Sequence, residues 1–385
     1  MRQAQNFYQV YELSGSALLL GMTGLAQGVP LFALGLFAGT LADFFDRKKL
    51  LLLTVLGNLL IAVGLGVLTL TGLIRVWHIL LATALTSALN IVLNPARMAL
   101  ISHLVPRSHV TNAVSLNSSA SQGSHFIGPM LGGLSLAWMS TGNAYLFNAL
   151  FYLPALAAIV FLKAPSSDRG GKEEFSWASV LGGVRFLFSE PIVLILVLLD
   201  FFVIGFGYYR PLLPVFAKDI LFVGPAGFGM LSSAPAIGGV VGTVALLTLG
   251  DVKSKGRLAL ASFLAYALAL GVFAVSTSFW LSLVLLAAMG LANSLQAVMR
   301  QTSFHLLTPD HVRGRAFSVF NMFSQGANAV GATVVGFMAA LLGAPGALLL
   351  GCAVGGLLTM AGWIAMPGLR TFGTEQAGEK RPRLG

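Results

Sequence analysis

Eleven long apolar runs constrain this chain more than any other feature, lying near 16–42, 50–73, 77–104, 112–138, 144–163, 191–217, 226–249, 258–277, 279–306, 316–342 and 345–367. A helix needs about 20 apolar residues to cross the hydrocarbon of a bilayer, and every run reaches that length. Charged residues make up 9% of the chain, where a soluble domain carries about 25%. The expected fold class is an all-α, polytopic membrane protein.

The net charge of +10 would point to nucleic acid in a soluble protein. Here the cations sit in short turns between apolar runs, so they report topology and anionic headgroups, and no nucleic-acid partner is expected. Alternating the turns puts Arg47, Lys48, Lys49, Arg107, Lys163, Arg169, Lys172, Arg185, Lys253, Lys255, Arg257, Arg313 and Arg315 on one side with the C-terminal cations. The opposite turns offer little beyond Arg75 and Lys218. The positive-inside bias predicts a cytoplasmic C-terminus in the plasma membrane and an N-terminus outside. The lone Cys352 lies in an apolar run and is read as packing.

The longest polar interruption, Lys163 to Glu190, divides the chain. The expected organisation is an N-terminal transmembrane bundle over 1–163, a cytoplasmic linker over 164–190, a C-terminal bundle over 191–369 and a basic tail over 370–385. Within the linker, Trp177 to Phe188 is read as a short amphipathic helix on the membrane face. The tail lacks apolar periodicity and is expected to be disordered.

The two bundles repeat each other. His103-Leu104-Val105 and His109-Val110 recur as His305-Leu306-Leu307 and His311-Val312, and Ser121-Gln122-Gly123 recurs as Ser324-Gln325-Gly326. Asp43 with Arg47 and Lys49 is echoed by Asp251 with Lys255 and Arg257, 208 positions later. Such ordered matches indicate two related halves, as in parallel-repeat transporters. That offset pairs Met1 with Tyr209, so the run beginning at Pro191 has no counterpart ahead of Met1. Met1 to Val10 is polar and too short to span. The expectation is eleven visible helices, with the first of a usual twelve missing through a misplaced start or a truncated frame.

The turn Gly39-Thr40-Leu41-Ala42-Asp43-Phe44-Phe45-Asp46-Arg47-Lys48-Lys49 closes one apolar run with a carboxylate and three cations. It resembles the signature loop of the major facilitator superfamily, with Phe44 and Asp46 departing from the pattern. Pro95 to Leu100, Leu104-Val105-Pro106, Thr111 to Ser118 and Ile127-Gly128-Pro129-Met130-Leu131-Gly132-Gly133 resemble its efflux branch of enterobactin-exporter-like and macrolide-efflux-like permeases. Tyr11 to Leu18 resembles the outer loop after that branch's first helix, and Arg313-Gly314-Arg315 its second-half turn. Two features depart: His125 stands where the branch often has Arg, and the Arg-x-x-x-Gly of some proton-coupled relatives is absent.

The resemblance implies a two-bundle secondary transporter, a monomer, exporting a small amphipathic molecule of drug, macrolide or siderophore type by proton antiport and alternating access. A lipid or lysolipid flippase is the alternative, as is a transport-inactive or accessory membrane subunit. The resemblance also implies a cytoplasmic gate at the loop motif (Gly39, Asp43, Arg47, Lys48, Asp251), with Arg97 and Arg300 as gate or loop-pairing residues. Gly128, Pro129, Gly132 and Gly133 have a physical reading of their own. A mid-helix proline kinks the backbone, and glycines admit a close neighbour. The resemblance adds export direction to that reading.

Polar residues inside the apolar runs mark the expected path. Asn90, Asn94 and Arg97 share a helix face with Thr83 and Ser87; Asn293, Gln296 and Arg300 are the echo in the second half. Asn117, Ser121 and Ser124 form another face, echoed by Asn321, Gln325 and Asn328. Polar stripes in lipid face the bundle interior or a water-filled cavity, or else they glue helices together. Asp200 falls near the midplane and is read as a proton-coupling group or as the partner of an Asn or Arg. His125 is the second coupling candidate, because histidine is the side chain that ordinarily titrates near neutrality, and a hydrogen-bonded interior histidine is the alternative. Tyr208, Tyr209 and Arg210 are candidates for holding an anionic or aromatic substrate, unless Arg210 snorkels. No phosphate loop, metal pattern or soluble catalytic domain is present in the sequence, so an enzyme and a cofactor are not expected.

Overall fold

The computed structural model describes residues 1–35, 46–106, 109–162, 185, 188–249, 252, 254–308, 310–366 and 368. Gly39, Asp43 and Asp251 of the gate motif lie outside the described residues, as do the linker helix from Trp177 and the tail. The side chains of Asn94 and His125 also lie outside them.

The described residues are helical, with no strand among them. In chain order the helices are α1 (Arg2–Ser14), α2 (Ala17–Leu34), α3 (Arg47–Leu70), α4 (Val76–Leu104), α5 (Val110–Trp138), α6 (Thr141–Leu150) and α7 (Tyr152–Phe161) in the first half. The second half has α8 (Pro191–Phe206), α9 (Gly224–Leu249), α10 (Lys255–Val275), α11 (Phe279–Leu307) and α12 (Asp310–Ala365). Nine segments among the described residues are long and apolar enough to cross a membrane, α6 and α7 together making one. The last is two helices joined at Gly343, whose φ of 75° is open to glycine and breaks the helix. With α5, whose described apolar part is shorter, the segments correspond to the eleven runs.

Many large apolar side chains face outward, Leu341 at 85% exposure and Phe161 at 81% among them, as lipid-facing helices require. Trp77, Trp138 and Trp280 are also exposed, each at a helix end. That is where tryptophan settles at a membrane interface.

Asp46, a departure from the loop signature, has a local role. Its side chain caps α3, accepting from the Lys49 N–H at 2.9 Å. At the same end, Lys48 Nζ donates to the carbonyls of Val160 and Leu162 at 3.0 and 2.8 Å, tying α3 to the end of α7.

At the start of the chain the structure adds detail to the sequence reading. Residues 2–14 form a helix, and the turn before α2 is only Gly15-Ser16. Arg2, Gln5, Asn6 and Gln9 are buried within the first bundle. They are tolerated because neighbouring helices supply partners. Gln5 donates to Ser135 Oγ at 3.0 Å and to the Ala144 carbonyl at 2.9 Å. Asn6 donates to Thr83 Oγ1 at 3.0 Å and accepts from Tyr145 Oη at 2.9 Å, while Gln9 donates to Thr69 Oγ1 at 2.8 Å. Polarity at the start of this chain therefore marks an interior helix.

A correction concerns the run from Pro191. It does not continue as one helix to Ala217. Helix α8 stops at Phe206, and the chain proceeds through Gly207-Tyr208-Tyr209 into short turns over Arg210–Leu212, Leu213–Val215 and Phe216–Ile220. Pro211 and Pro214 lack the N–H groups that a regular helix would use there, and Tyr266 Oη donates to the freed Gly207 carbonyl at 3.1 Å.

The halves meet through two helix pairs, α2 with α12 and α5 with α9. Both seams are built on glycine at the end away from the basic turns. A Cβ on Gly21 would lie 3.0 Å from Gly336 Cα, and one on Gly133 would lie 2.6 Å from Gly229 Cα. Only bare backbones approach this closely.

Candidate functional site

Three polar clusters stand inside the bundle or between its halves. The first is within the second half. Asp200 on α8 is 4% exposed and forms an ion pair with Arg300 on α11. Gln296 Nε2, one turn away on α11, donates to Asp200 Oδ1 at 3.3 Å and to Asn293 Oδ1 at 3.0 Å. Ser324 Oγ on α12 lies 3.4 Å from both Asp200 Oδ2 and Arg300 Nη2. The Arg300 guanidinium also sits 5.3 Å from the centre of the Phe320 ring. The spacing of Asn293, Gln296 and Arg300 puts them on one face of α11, and that face points at the carboxylate. A charge in lipid is stable only when paired in this way.

Arg300, read from the sequence as a gate or loop-pairing residue, stands in this buried cluster. Ser324, noted in the sequence only as part of the repeat, joins the cluster. Asn328 lies beside it and donates to the Ser324 carbonyl at 3.3 Å.

The second cluster surrounds a cavity of about 160 Å³ between the halves. Its walls come from Met1 and α1 (Gln3, Ala4, Phe7), α5 (Ser124, Pro129), the broken end of α8 (Tyr209, Arg210, Leu213) and α9 (Phe228, Ser232, Pro235). Pro129 of the kink motif thus lines the cavity, while Gly132 faces the backbone of Met1 and Gly133 that of Gly229 on α9. The phenols of Tyr208, Tyr209 and Tyr266 lie around the Arg210 guanidinium.

The third cluster bridges the halves near the glycine seams. Tyr11 Oη donates to Asp219, and the Lys218 ammonium lies 6.0 Å from the centre of the Tyr11 ring. Positions 11 and 219 correspond in the repeat, so this contact straddles its axis.

The remaining candidates are scattered. Asn90 on α4 and Asn321 and Gln325 on α12 are exposed. Ser121 on α5 and Arg97 on α4 are half-buried. Asn117 Nδ2 lies 3.3 Å from Met98 Sδ, linking α5 to α4. None of these six lines the cavity. Among the described residues no group of His, Cys, Asp and Glu could hold a metal ion.

Tyr11, Asp219 and Ser232 were missed as site residues by sequence reasoning, and so was the buried Arg2–Asn58 contact inside the first bundle, which lies outside the site. For Arg2 a signal existed, because it stands 208 positions before Arg210, the same offset that pairs Asp43 with Asp251. Asn58 and Ser232 carry no such mark, since a single Asn or Ser in an apolar run is common.

Comparison with known proteins agrees with this architecture. The chain is 24% identical over 346 residues to the multidrug efflux pump Tap of Mycolicibacterium fortuitum, covering 86% of this chain and 83% of that protein. It is 27% identical over 342 residues to the enterobactin exporter EntS of Shigella boydii, covering 87% and 80%. Among solved structures, the nucleoside transporter NupG superposes with a TM-score of 0.70 at 13% identity, covering 94% of this chain and 96% of that one. A bacterial homolog of the human lysosomal transporter Spinster, inward-facing and unoccupied, superposes at 0.67 with 16% identity and coverage of 100% and 97%. At such identities the structural likeness carries the fold alone. The transmembrane secretion effector family matches residues 1–378, and this chain belongs to that family of major facilitator transporters.

Proposed function

We propose that this chain exports a small amphipathic molecule across the plasma membrane by alternating access, driven by proton antiport. The observation that carries the coupling is the buried Asp200–Arg300 pair, cross-linked through Gln296 and Ser324 to α11 and α12. Its carboxylate has two stable conditions in a low-dielectric interior: ionised against Arg300, or protonated and released from it. Proton binding at the carboxylate frees Arg300 and loosens α8 from α11 and α12. Proton release restores the contact. Such a bistable contact lets a proton gradient drive a rocking motion of one half against the other.

The efflux names of Tap and EntS support the outward direction. In this reading the basic turns and the C-terminus face the cytoplasm, and the glycine seams face outside. The two bundles are joined by the linker over 164–190.

Everted membrane vesicles with an acidic interior test this. The probes are a macrolide, ethidium and 1-naphthalenesulfonate, which sample neutral or basic, cationic and anionic amphipaths. Vesicles carrying the parent chain should accumulate at least one probe and lose part of their pH gradient as they do so. Asp200→Asn should abolish the gradient-driven accumulation while the protein remains in the membrane. Unchanged accumulation by that variant removes the carboxylate from the coupling.

A further inference from the structure

The proposed export leaves the substrate's chemistry open, and the cavity between the halves narrows it. Resting on that reading, we infer that the cavity binds the anionic head of an aromatic substrate, with Arg210 as the counter-charge.

The first observation is the cation itself. Arg210 lines the cavity, and among the described residues it forms no ion pair with a carboxylate. Its neighbours are phenols, which polarise toward a cation without neutralising it. A guanidinium inside a bundle is costly unless an anion or a full set of acceptors meets it. Its planar fork suits a carboxylate or sulfonate in two parallel hydrogen bonds.

The second observation is the hydroxyl of Ser232. It is buried, has no hydrogen-bond partner among the described residues, and lines the same cavity. A buried hydroxyl without a partner is an unfilled donor, and an anionic oxygen fills it. Gln3 on α1 also lines the cavity, its amide donating to Gln27 Oε1 at 3.3 Å.

The third observation is the break in α8. Transporters with discontinuous helices place substrate polar groups where a helix loses its regular bonding. Arg210 follows that break directly, two residues after Tyr208. Phe7 on α1 and Phe228 on α9 add apolar surface to the lining, and Tyr8 packs on Phe228 at 5.1 Å between ring centres. At about 160 Å³ the space is below the ~300–1,000 Å³ of drug-sized sites. It admits one ring with its charged head and excludes a whole macrocycle.

The purified full chain in lipid nanodiscs tests this with three ligands sharing one ring: benzoate, benzyl alcohol and benzylamine. Equilibrium dialysis should show benzoate binding about tenfold or more tighter than benzylamine. Arg210→Gln should erase that preference, Arg210→Lys should keep part of it, and Ser232→Ala should weaken benzoate several-fold while sparing benzylamine. If Arg210→Gln fails to elute as a folded species, the parent's own ligand preference and Ser232→Ala still decide. Equal affinity of the parent chain for anion and cation overturns the inference, as does loss of all three ligands together in Arg210→Gln. No gradient is present in this measurement, so it separates from the export reading. Anion-selective binding without gradient-driven accumulation would sink the export reading and leave the site standing. Gradient-driven export with no anion preference would do the reverse.

Discussion

Arg2 and Arg210 occupy the same position in the two halves of the repeat, and the halves use them in opposite ways. Arg2 is sealed inside its own bundle: Nη1 donates to the Asn58 carbonyl at 3.0 Å and Nη2 to Asn58 Oδ1 at 2.5 Å, with the Tyr152 ring 5.9 Å away. Arg210 instead opens onto the cavity between the halves. The difference follows from the helices that carry them. Helix α1 is unbroken, so Arg2, Gln5, Asn6 and Gln9 recur at helical spacing and meet polar groups on α3 to α6. The equivalent stretch after α8 is broken by Pro211 and Pro214, and its buried side chains are Leu212, Leu213 and Phe216. One half spends its arginine on holding a polar helix in place. The other leaves a cation at the boundary, and it balances charge deeper inside with Asp200 and Arg300.

The sharpest way to break that comparison is to remove the charge balance from the second half. Arg300→Ala leaves a buried carboxylate without its partner and should destabilise the protein by ~3–5 kcal/mol. The double variant with Asp200→Asn should recover much of that loss, as read by thermal denaturation of purified protein. A single variant as stable as the parent would mean that the pair has no structural weight.

A smaller effect is expected in the first half. Arg2→Met keeps length and apolar bulk but strands the buried Asn58 side chain, costing about 1–3 kcal/mol. Because Arg2 is closed off from the cavity, the benzoate preference over benzylamine should stay within about twofold of the parent's. A collapse of that preference would place Arg2 with Arg210 in ligand binding and erase the contrast.

The smallest effect tests the contact on the repeat axis. Tyr11→Phe removes one hydrogen bond to Asp219 and leaves the ring beneath Lys218, so stability should fall by ~0.5–1.5 kcal/mol. If the contact holds the halves together, a cysteine placed at Ser232 should label faster from the side of the Gly15 turn in the variant. Unchanged labelling would reduce the contact to packing.

Much of this was legible before any coordinates. Run lengths predicted the all-helical membrane fold, and the offset of 208 exposed the two related halves. The three-and-four spacing of Asn293, Gln296 and Arg300 showed that they share a face. What that spacing cannot contain is the neighbour opposite. Asp200 was read with an Asn or Arg as one possible partner, but only packing chose Arg300 and added Ser324 from a third helix. Asn90, Asn321 and Gln325 obey the same periodicity, yet none of them lines the cavity between the halves.

The first residues show the limit most clearly. Met1 to Val10 reads as polar and non-spanning, because hydropathy sums each residue as if lipid or water were its surroundings. In the folded chain, Gln5, Asn6 and Gln9 are surrounded by Ser135, Thr83, Tyr145 and Thr69, which come from four later helices. The sequence alone determined the solvent of this protein, its helices and its duplicated plan, since those depend on composition and on local or repeated order. Which arginine is sealed, which faces a cavity and which carboxylate is neutralised were decided by tertiary structure. A buried charge is settled by the groups that reach it across space, and their separation along the chain, from 56 positions for Arg2 and Asn58 to 124 for Asp200 and Ser324, carries no local signal.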